Sequence, residues 1–219
     1  GPFPTPSPSH FHPSPLSQLT LSLPHTSLRL DGPPSPRQRS PMADVSQQES
    51  SIRLQGQLLI ADPSLREGVF QHSVVLLAEH SAAEGAFGLI LNHPSGHRVG
   101  EFIKDEEYSS LARIDVHVGG PLAREHLTFA ALWWSEEKGL RFATRISAKD
   151  AVKHAQNSGT LVRAFVGYAG WTDGQLEGEL RHSSWIAAQP TPDLLANTHD
   201  DSLWGAILRG LSPYHKIIA

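Results

Sequence analysis

Phe165-Val166-Gly167-Tyr168-Ala169-Gly170-Trp171-Thr172-Asp173-Gly174-Gln175-Leu176-Glu177 runs from an apolar strand into a helix. Leu161 to Val166 carries the β-branched and apolar composition of a strand. Thr172 to Gln175 has capping-box spacing, the Gln three residues after the Thr, and the helix beyond it would place Leu176 and Leu180 on one face. The glycines in between permit positive φ and close backbone approach. Two readings follow. In one, a tight strand-to-helix turn packs Tyr168 and Trp171 into the core. In the other, the turn is a notch where the helix N-terminus offers free N–H groups to an anion or a carbonyl. The phosphate-loop pattern is absent, because no Gly-Lys-Ser/Thr follows.

Outward from this stretch, the chain alternates strands and short helices. Leu54 to Ala61 reads as a first strand stopped by Asp62-Pro63. Ser73 to Ala78 and Ala86 to Leu91 are continuous apolar runs, the pattern of strands buried on both faces. His80 to Gly85 between them predicts a hairpin, and Pro94 is expected to end the second arm. Asp105 to Ala112 reads as a short helix and Ile114 to Val118 as a strand ended by Gly119-Gly120-Pro121. Leu127 to Trp133 and Leu140 to Ile146 predict a second hairpin. Ser147 is the expected N-cap of a helix carrying Ala148, Ala151, Val152 and Ala155 on one face, with Gly159 as its stop. Ser184 to Ala188 reads as a short strand. Ser202 to Leu211 reads as a last helix with Trp204, Leu208 and Leu211 facing inward. Hairpins followed by interleaved strands and helices argue α+β rather than a βαβ repeat.

The two ends of the chain differ in composition. Residues 1–41 hold 11 of the 17 prolines, three Arg and one Asp. Such a tract cannot bury enough apolar surface to offset chain ordering, so residues 1–50 are expected to be a disordered extension and 51–219 a single domain. Met42, the only Met, suggests that the natural protein starts there; a Ser-rich targeting tract is the alternative. From Met42 onward there are 15 basic and 21 acidic residues, and an acidic domain repels phosphate backbones. With no Cys, disulfides, thiolate metal sites and Cys nucleophiles are excluded. No apolar run approaches the length of a membrane span. The expected compartment is the cytoplasm.

Five motifs in order carry a family resemblance: Gly56 to Ala61; Ser73 to Leu77 with Glu79-His80; Gly88 to Asn92 with Pro94; Val118 to Pro121; and Gly167 to Trp171 with Gly174 to Glu177, Glu179 and Ser184-Trp185. Together they resemble the YqgE/AlgH family over Leu54 to Ala219. Ser183 departs from the pattern, since an Asn usually precedes the Ser-Trp. The resemblance implies an α+β fold with a barrel-like, partly split antiparallel sheet flanked by helices. It also implies a link to transcriptional regulation, in a family for which no catalytic residue set is agreed.

Each candidate site rests on its own chemistry. Asn92, Gly119, Gly120, Pro121, Tyr168, Gly170, Trp171 and Gln175 are expected to line a ligand pocket; turns and core packing are the plain alternative. Glu79 and His80 are the candidate general bases, although neighbouring strand residues point to opposite faces. His93 and His97 do not make a metal site, because Pro94 and Gly96 preclude a helical pair and no third ligand is near. No metal and no cofactor is expected. Arg141, Arg145, Lys149 and Lys153 are the only basic concentration, diluted by Asp150, and no helix-turn-helix is evident. Trp133 and Trp134 must face opposite sides of a strand, which suggests a partner contact or a helix covering one of them.

Three hypotheses follow. The first is a non-enzymatic module binding a small molecule or a protein partner. The second is an enzyme acting on a small anionic or nucleotide-like substrate, with Glu79 or His80 as base. The third is a DNA-contacting regulator using the Lys149 face. A pocket gathering Glu79, Asn92, Gly120 and Trp171 would serve the first two.

Overall fold

A computed structural model describes residues 54–66 and 68–211. The expectations for residues 1–50 lie outside these. Among the described residues nine strands form one curled, mixed sheet: β1 Leu58–Ala61, β2 Val74–Ser81, β3 Gly85–Ile90, β4 Pro94–Arg98, β5 Asp115–Val118, β6 Leu122–Ser135, β7 Gly139–Ile146, β8 Leu161–Trp171 and β9 Trp185–Ala188. The path runs β4-β5-β8-β3-β2-β1-β9, with β6 on β8 and β7 on β6. The sheet closes halfway to a barrel, leaving the outer edges of β7 and β9 on either side of a seam. The expected α+β, barrel-like architecture holds, with one difference: β5 and β8 are parallel.

Helices cover both faces. These are α1 Val99–Phe102, α2 Ala148–Ala155, α3 Gln175–Arg181, α4 Asp193–Ala196 and α5 Asp201–Leu211, with a 3-10 turn at Glu106–Leu111. Leu58, Ile60, Leu76, Leu89 and Phe165 face Leu194, Leu203, Trp204 and Leu208 of α4 and α5. On the other face Leu59, Val75, Leu77 and Trp171 meet Leu176 and Trp185. Further along, Ala131, Val162 and Ala164 meet Ala151 of α2 and Leu111. Burial on both faces is why the strands read as unbroken apolar runs rather than alternating ones.

Local chemistry set several boundaries as expected. The Ser147 hydroxyl accepts the Asp150 N–H at 3.2 Å, capping α2. β3 ends at Ile90, ahead of Asn92-His93-Pro94, and Pro94 then opens the edge strand β4, where a first residue needs no inward donor. Two other expectations are corrected. β2 continues through His80 to Ser81, because a bulge between Leu77 and Glu79 carries the ladder past the polar residues. Leu211 is 41% exposed, while Trp204 and Leu208 are buried. Among the described residues no helix is long and apolar enough to cross a membrane.

Candidate functional site

The glycine motifs meet at a backbone crossing. Val116 and Phe129 both pair with Ala164, so β5 and β6 occupy opposite edges of β8. The link between them, Gly119-Gly120-Pro121, must therefore pass over β8. A Cβ on Gly120 would sit 2.1 Å from the Tyr168 carbonyl, one on Gly119 2.4 Å from the Gly167 oxygen, and one on Gly167 2.4 Å from the Gly120 oxygen. Gly167 also holds φ +75°, a region costly for side chains. The expected strand-to-helix corner is thus corrected: β8 runs unbroken through Gly167 to Trp171, and α3 starts only at Gln175. Gly119, Gly120 and Pro121 form the crossing. Gly170 lies under the Leu122 side chain and the Tyr168 ring, and Tyr168 packs on Phe87 at 5.2 Å between ring centres.

Trp171 and Asn92 are held by internal bonds. Glu179 on α3 accepts the indole N–H groups of Trp171 at 2.9 Å and Trp185 at 2.8 Å through one oxygen, and the Gln175 amide at 3.0 Å through the other. Gln175 also reaches back to the Thr172 N–H at 3.1 Å, the Gln arm of the expected capping box. Asn92, fully buried, accepts the Val74 N–H at 2.8 Å and donates to the His72 carbonyl at 2.9 Å. Glu79, Asn92, Gly120 and Trp171 are not gathered. Asn92 clamps the start of β2, Gly120 sits at the crossing, and Glu79 and Trp171 belong to opposite faces of the sheet.

Glu79 and His80 do diverge, as the alternation of a strand requires. Glu79 pairs with Arg145, whose guanidinium lies 4.3 Å from the Phe87 ring centre. His80, its side chain 7% exposed, meets Glu177 of α3 through Nε2 at 2.6 Å. Both border a cleft of about 420 Å³, with Gln55, Ser81 and Glu84 on its walls.

Gln55 also belongs to a second cleft, of about 480 Å³, at the seam between β7 and the end of β9. Gln57, Lys138, Arg141 and Gln189 line it, and Trp134 and Phe142 supply ring surface. The sequence marks none of these residues as a ligand contact; it puts Arg141 in the basic cluster and Trp134 in the Trp133-Trp134 pair. Their signal in the sequence is faint: three scattered glutamines acquire a common address only when the seam brings 55–57, 138–142 and 189–190 together. Of the basic cluster, Arg145 pairs with Glu79 and Lys153 with Asp150. Trp133 stacks on His154 of α2, so a helix residue covers it.

A buried polar cluster lies beneath the α4–α5 junction. The His117 Nε2–H donates to the His199 carbonyl at 2.9 Å, and the His199 Nε2–H donates to the Leu194 carbonyl at 2.8 Å. Each imidazole is then left with Nδ1 buried and without a partner among the described residues, as is Nε of Arg163. Burial is the main force depressing both histidines, and the nearby Arg163 charge adds to it; His199 falls to about 4. Among the described residues no group of three or more His, Asp or Glu side chains is placed to hold a metal.

A model of the family described as AlgH-like matches residues 58–215. Among relatives, a UPF0301 protein of Shewanella loihica is 34% identical over 162 residues, covering 69% of this chain and 87% of its own. Another, of Mycobacteroides abscessus, is 36% identical over 164 residues, covering 70% and 78%. The solution structure of the AlgH protein from Pseudomonas aeruginosa superposes with a TM-score of 0.56 at 28% identity, covering 79% of this chain and 97% of that one. A crystal structure of a Corynebacterium diphtheriae protein gives a TM-score of 0.58 at 24% identity over 75% and 90%, a likeness of fold.

Proposed function

The chain belongs to the AlgH-like family, and on that premise we propose that it is a small-molecule-binding regulatory module whose ligand lies in the groove around Gln55. One observation carries this reading. Gln55, Gln57, Lys138 and Gln189 border one cleft, and none of these four side chains has a hydrogen-bond or ion-pair partner among the described residues. Concave sites with a few convergent polar groups beside ring surface are the usual form of a small-molecule pocket. Regulation would then act through the liganded module rather than by direct DNA contact, since Arg145 and Lys153 are already matched by carboxylates.

A thermal-shift screen of the full chain against a metabolite panel tests the proposal, because a ligand that binds only the folded state stabilises it by RT ln(1 + [L]/Kd). A hit should lose its shift in Gln57→Leu and in Gln189→Leu. A panel with no hit, or hits indifferent to both substitutions, sinks the reading.

The contact between His80 and Glu177 supports a second reading, an enzyme. A carboxylate 2.6 Å from the imidazole would orient His80 as a general base at the adjoining cleft. In that case a screened activity would vanish in His80→Asn and fall in Glu177→Gln with ligand binding retained.

A further inference from the structure

We infer that the seam cleft is a slot for a short extended peptide, which adds to the free edge of β7 with an acidic residue opposite Arg141 and an apolar residue on either side of it. The inference rests on the groove being the ligand site and names the class of its ligand. The lining decides the shape. Gly139, Leu140, Arg141 and Phe142, the first four residues of β7, all border the cleft. Successive strand residues point to opposite faces, so a cleft that touches every one of them follows the edge of β7 rather than either face. That edge is open: β7 pairs with β6 alone, and no backbone hydrogen bond reaches its other side among the described residues. A row of unpaired N–H and C=O groups is a template for one more strand. Residues 55–57 and 189–190 make the opposite wall. From it Gln55, Gln57 and Gln189 present carboxamides, each with a donor and an acceptor, the same two functions as a peptide group.

Direction and register narrow the class. Every step from β7 to β6, β8, β3, β2, β1 and β9 is antiparallel, so β7 and β9 run the same way. A strand laid antiparallel on β7 is therefore antiparallel to β9 as well, and it continues the alternation of the half-barrel. Trp134 pairs with Leu140 and Leu132 with Phe142, which puts these four on one face; Trp133 and Arg141 pair on the other. In an antiparallel neighbour, directly opposed residues share a face. The peptide residue opposite Arg141 thus meets a guanidinium, while the two that flank it meet Leu140 and Phe142 on the ring side. The ion pairs of the described residues engage Arg98, Arg145 and Lys153 but not Arg141. No carboxylate lines the cleft, whose charged residues are Lys138 and Arg141. Apolar–acidic–apolar is the complementary pattern. A compact metabolite leaves the edge amides of β7 unpaired.

The test is selection of hexapeptides from a fully randomised display library on the full chain, followed by calorimetric titration of the selected sequence as a synthetic peptide. Apolar–acidic–apolar triplets should enrich on the parent, and apolar–basic–apolar triplets on Arg141→Glu, a substitution at an exposed position. The peptide selected on the parent should bind Arg141→Glu ~10-fold more weakly or worse, because like charges then stand directly opposed. Two N-methylated forms, one blocked at the acidic residue and one at its neighbour, should differ ~10-fold or more, since only alternate amides of an added strand face β7. No enrichment, the same triplets on parent and variant, or equal affinity of the two N-methylated forms overturns the inference. A dimer in sedimentation that Arg141→Glu dissociates gives the slot to a second β7, and displacement of the peptide by a synthetic copy of residues 42–53 gives it to the chain's own segment; either result overturns it too. The two levels separate cleanly. A metabolite that loses its thermal shift in Gln57→Leu while no peptide enriches leaves the groove as the ligand site and removes the peptide. Peptides that bind regardless of Gln57→Leu, Gln189→Leu and Arg141→Glu remove both.

Discussion

Acid should loosen this fold at a definite place, and His199 should be the reason. Its Nε2–H is committed to the Leu194 carbonyl and its Nδ1 is buried with no partner among the described residues. A second proton would sit on Nδ1, out of water and close to Arg163 and His117, with the Leu194 carbonyl and Asp200 offsetting only part of that cost. Folded His199 therefore titrates at about 4, against 6.5 for an ordinary histidine. The unfolded chain binds the proton first, so stability rises with pH across this window and is lost on acidification from about 6.5 towards 4. At ~1.36 kcal/mol per pH unit, about 2 kcal/mol has gone by about pH 5 and about 3 kcal/mol by about pH 4. His117, lowered by burial as well, acts in the same direction. The assay is urea unfolding of the full chain at several pH values between about 7.5 and 4.5, repeated on His199→Gln. The Gln amide can still donate to Leu194 and does not titrate. The parent should lose about 2 kcal/mol more than the variant over that range. Parallel pH profiles for the two proteins would refute the account of His199.

Three other outcomes follow from the packing. Gly120→Ala should cost more than ~4 kcal/mol or abolish folding, because the new methyl meets backbone that has no rotamer to yield; circular dichroism and expression yield read it. Glu179→Ala should cost ~2–5 kcal/mol in urea unfolding, since the Trp171 and Trp185 indole N–H groups lose their shared acceptor inside the core. Ser183→Asn should stabilise by ~0.5–1 kcal/mol, seen as a raised thermal midpoint, because Ser183 holds φ +58° just past the end of α3 and Asn tolerates that region better.

The last of these also bears on the departure at Ser183, which holds a left-handed backbone at some strain where an Asn would be better tolerated. Much else was legible. Continuous apolar runs gave two-sided burial, the Ser147 spacing gave α2, and the order of elements gave α+β. The principal misreading was of Gly167 to Trp171. Glycine punctuation in sequence looks alike whether a chain turns or whether another chain lies across it, and only the register of β5 and β6 on β8 tells the two apart. The ligand residues proposed from those glycines went with that misreading, and Asn92 proved to be a clamp on backbone amides. The seam cleft was out of reach for another reason: its residues come from three separate segments with no shared spacing.

The arch of Gly119 to Pro121 over β8 has a consequence for synthesis. β5 and β6 are consecutive, yet they cannot zip together as a hairpin, because the strand that belongs between them is not made until Leu161. A chain emerging from the ribosome must hold both arms apart until that wedge arrives and slides beneath the glycines. Late, distant insertion of this kind is a slow way to assemble a sheet, and any fragment ending before Leu161 would present two unzipped edges to its neighbours.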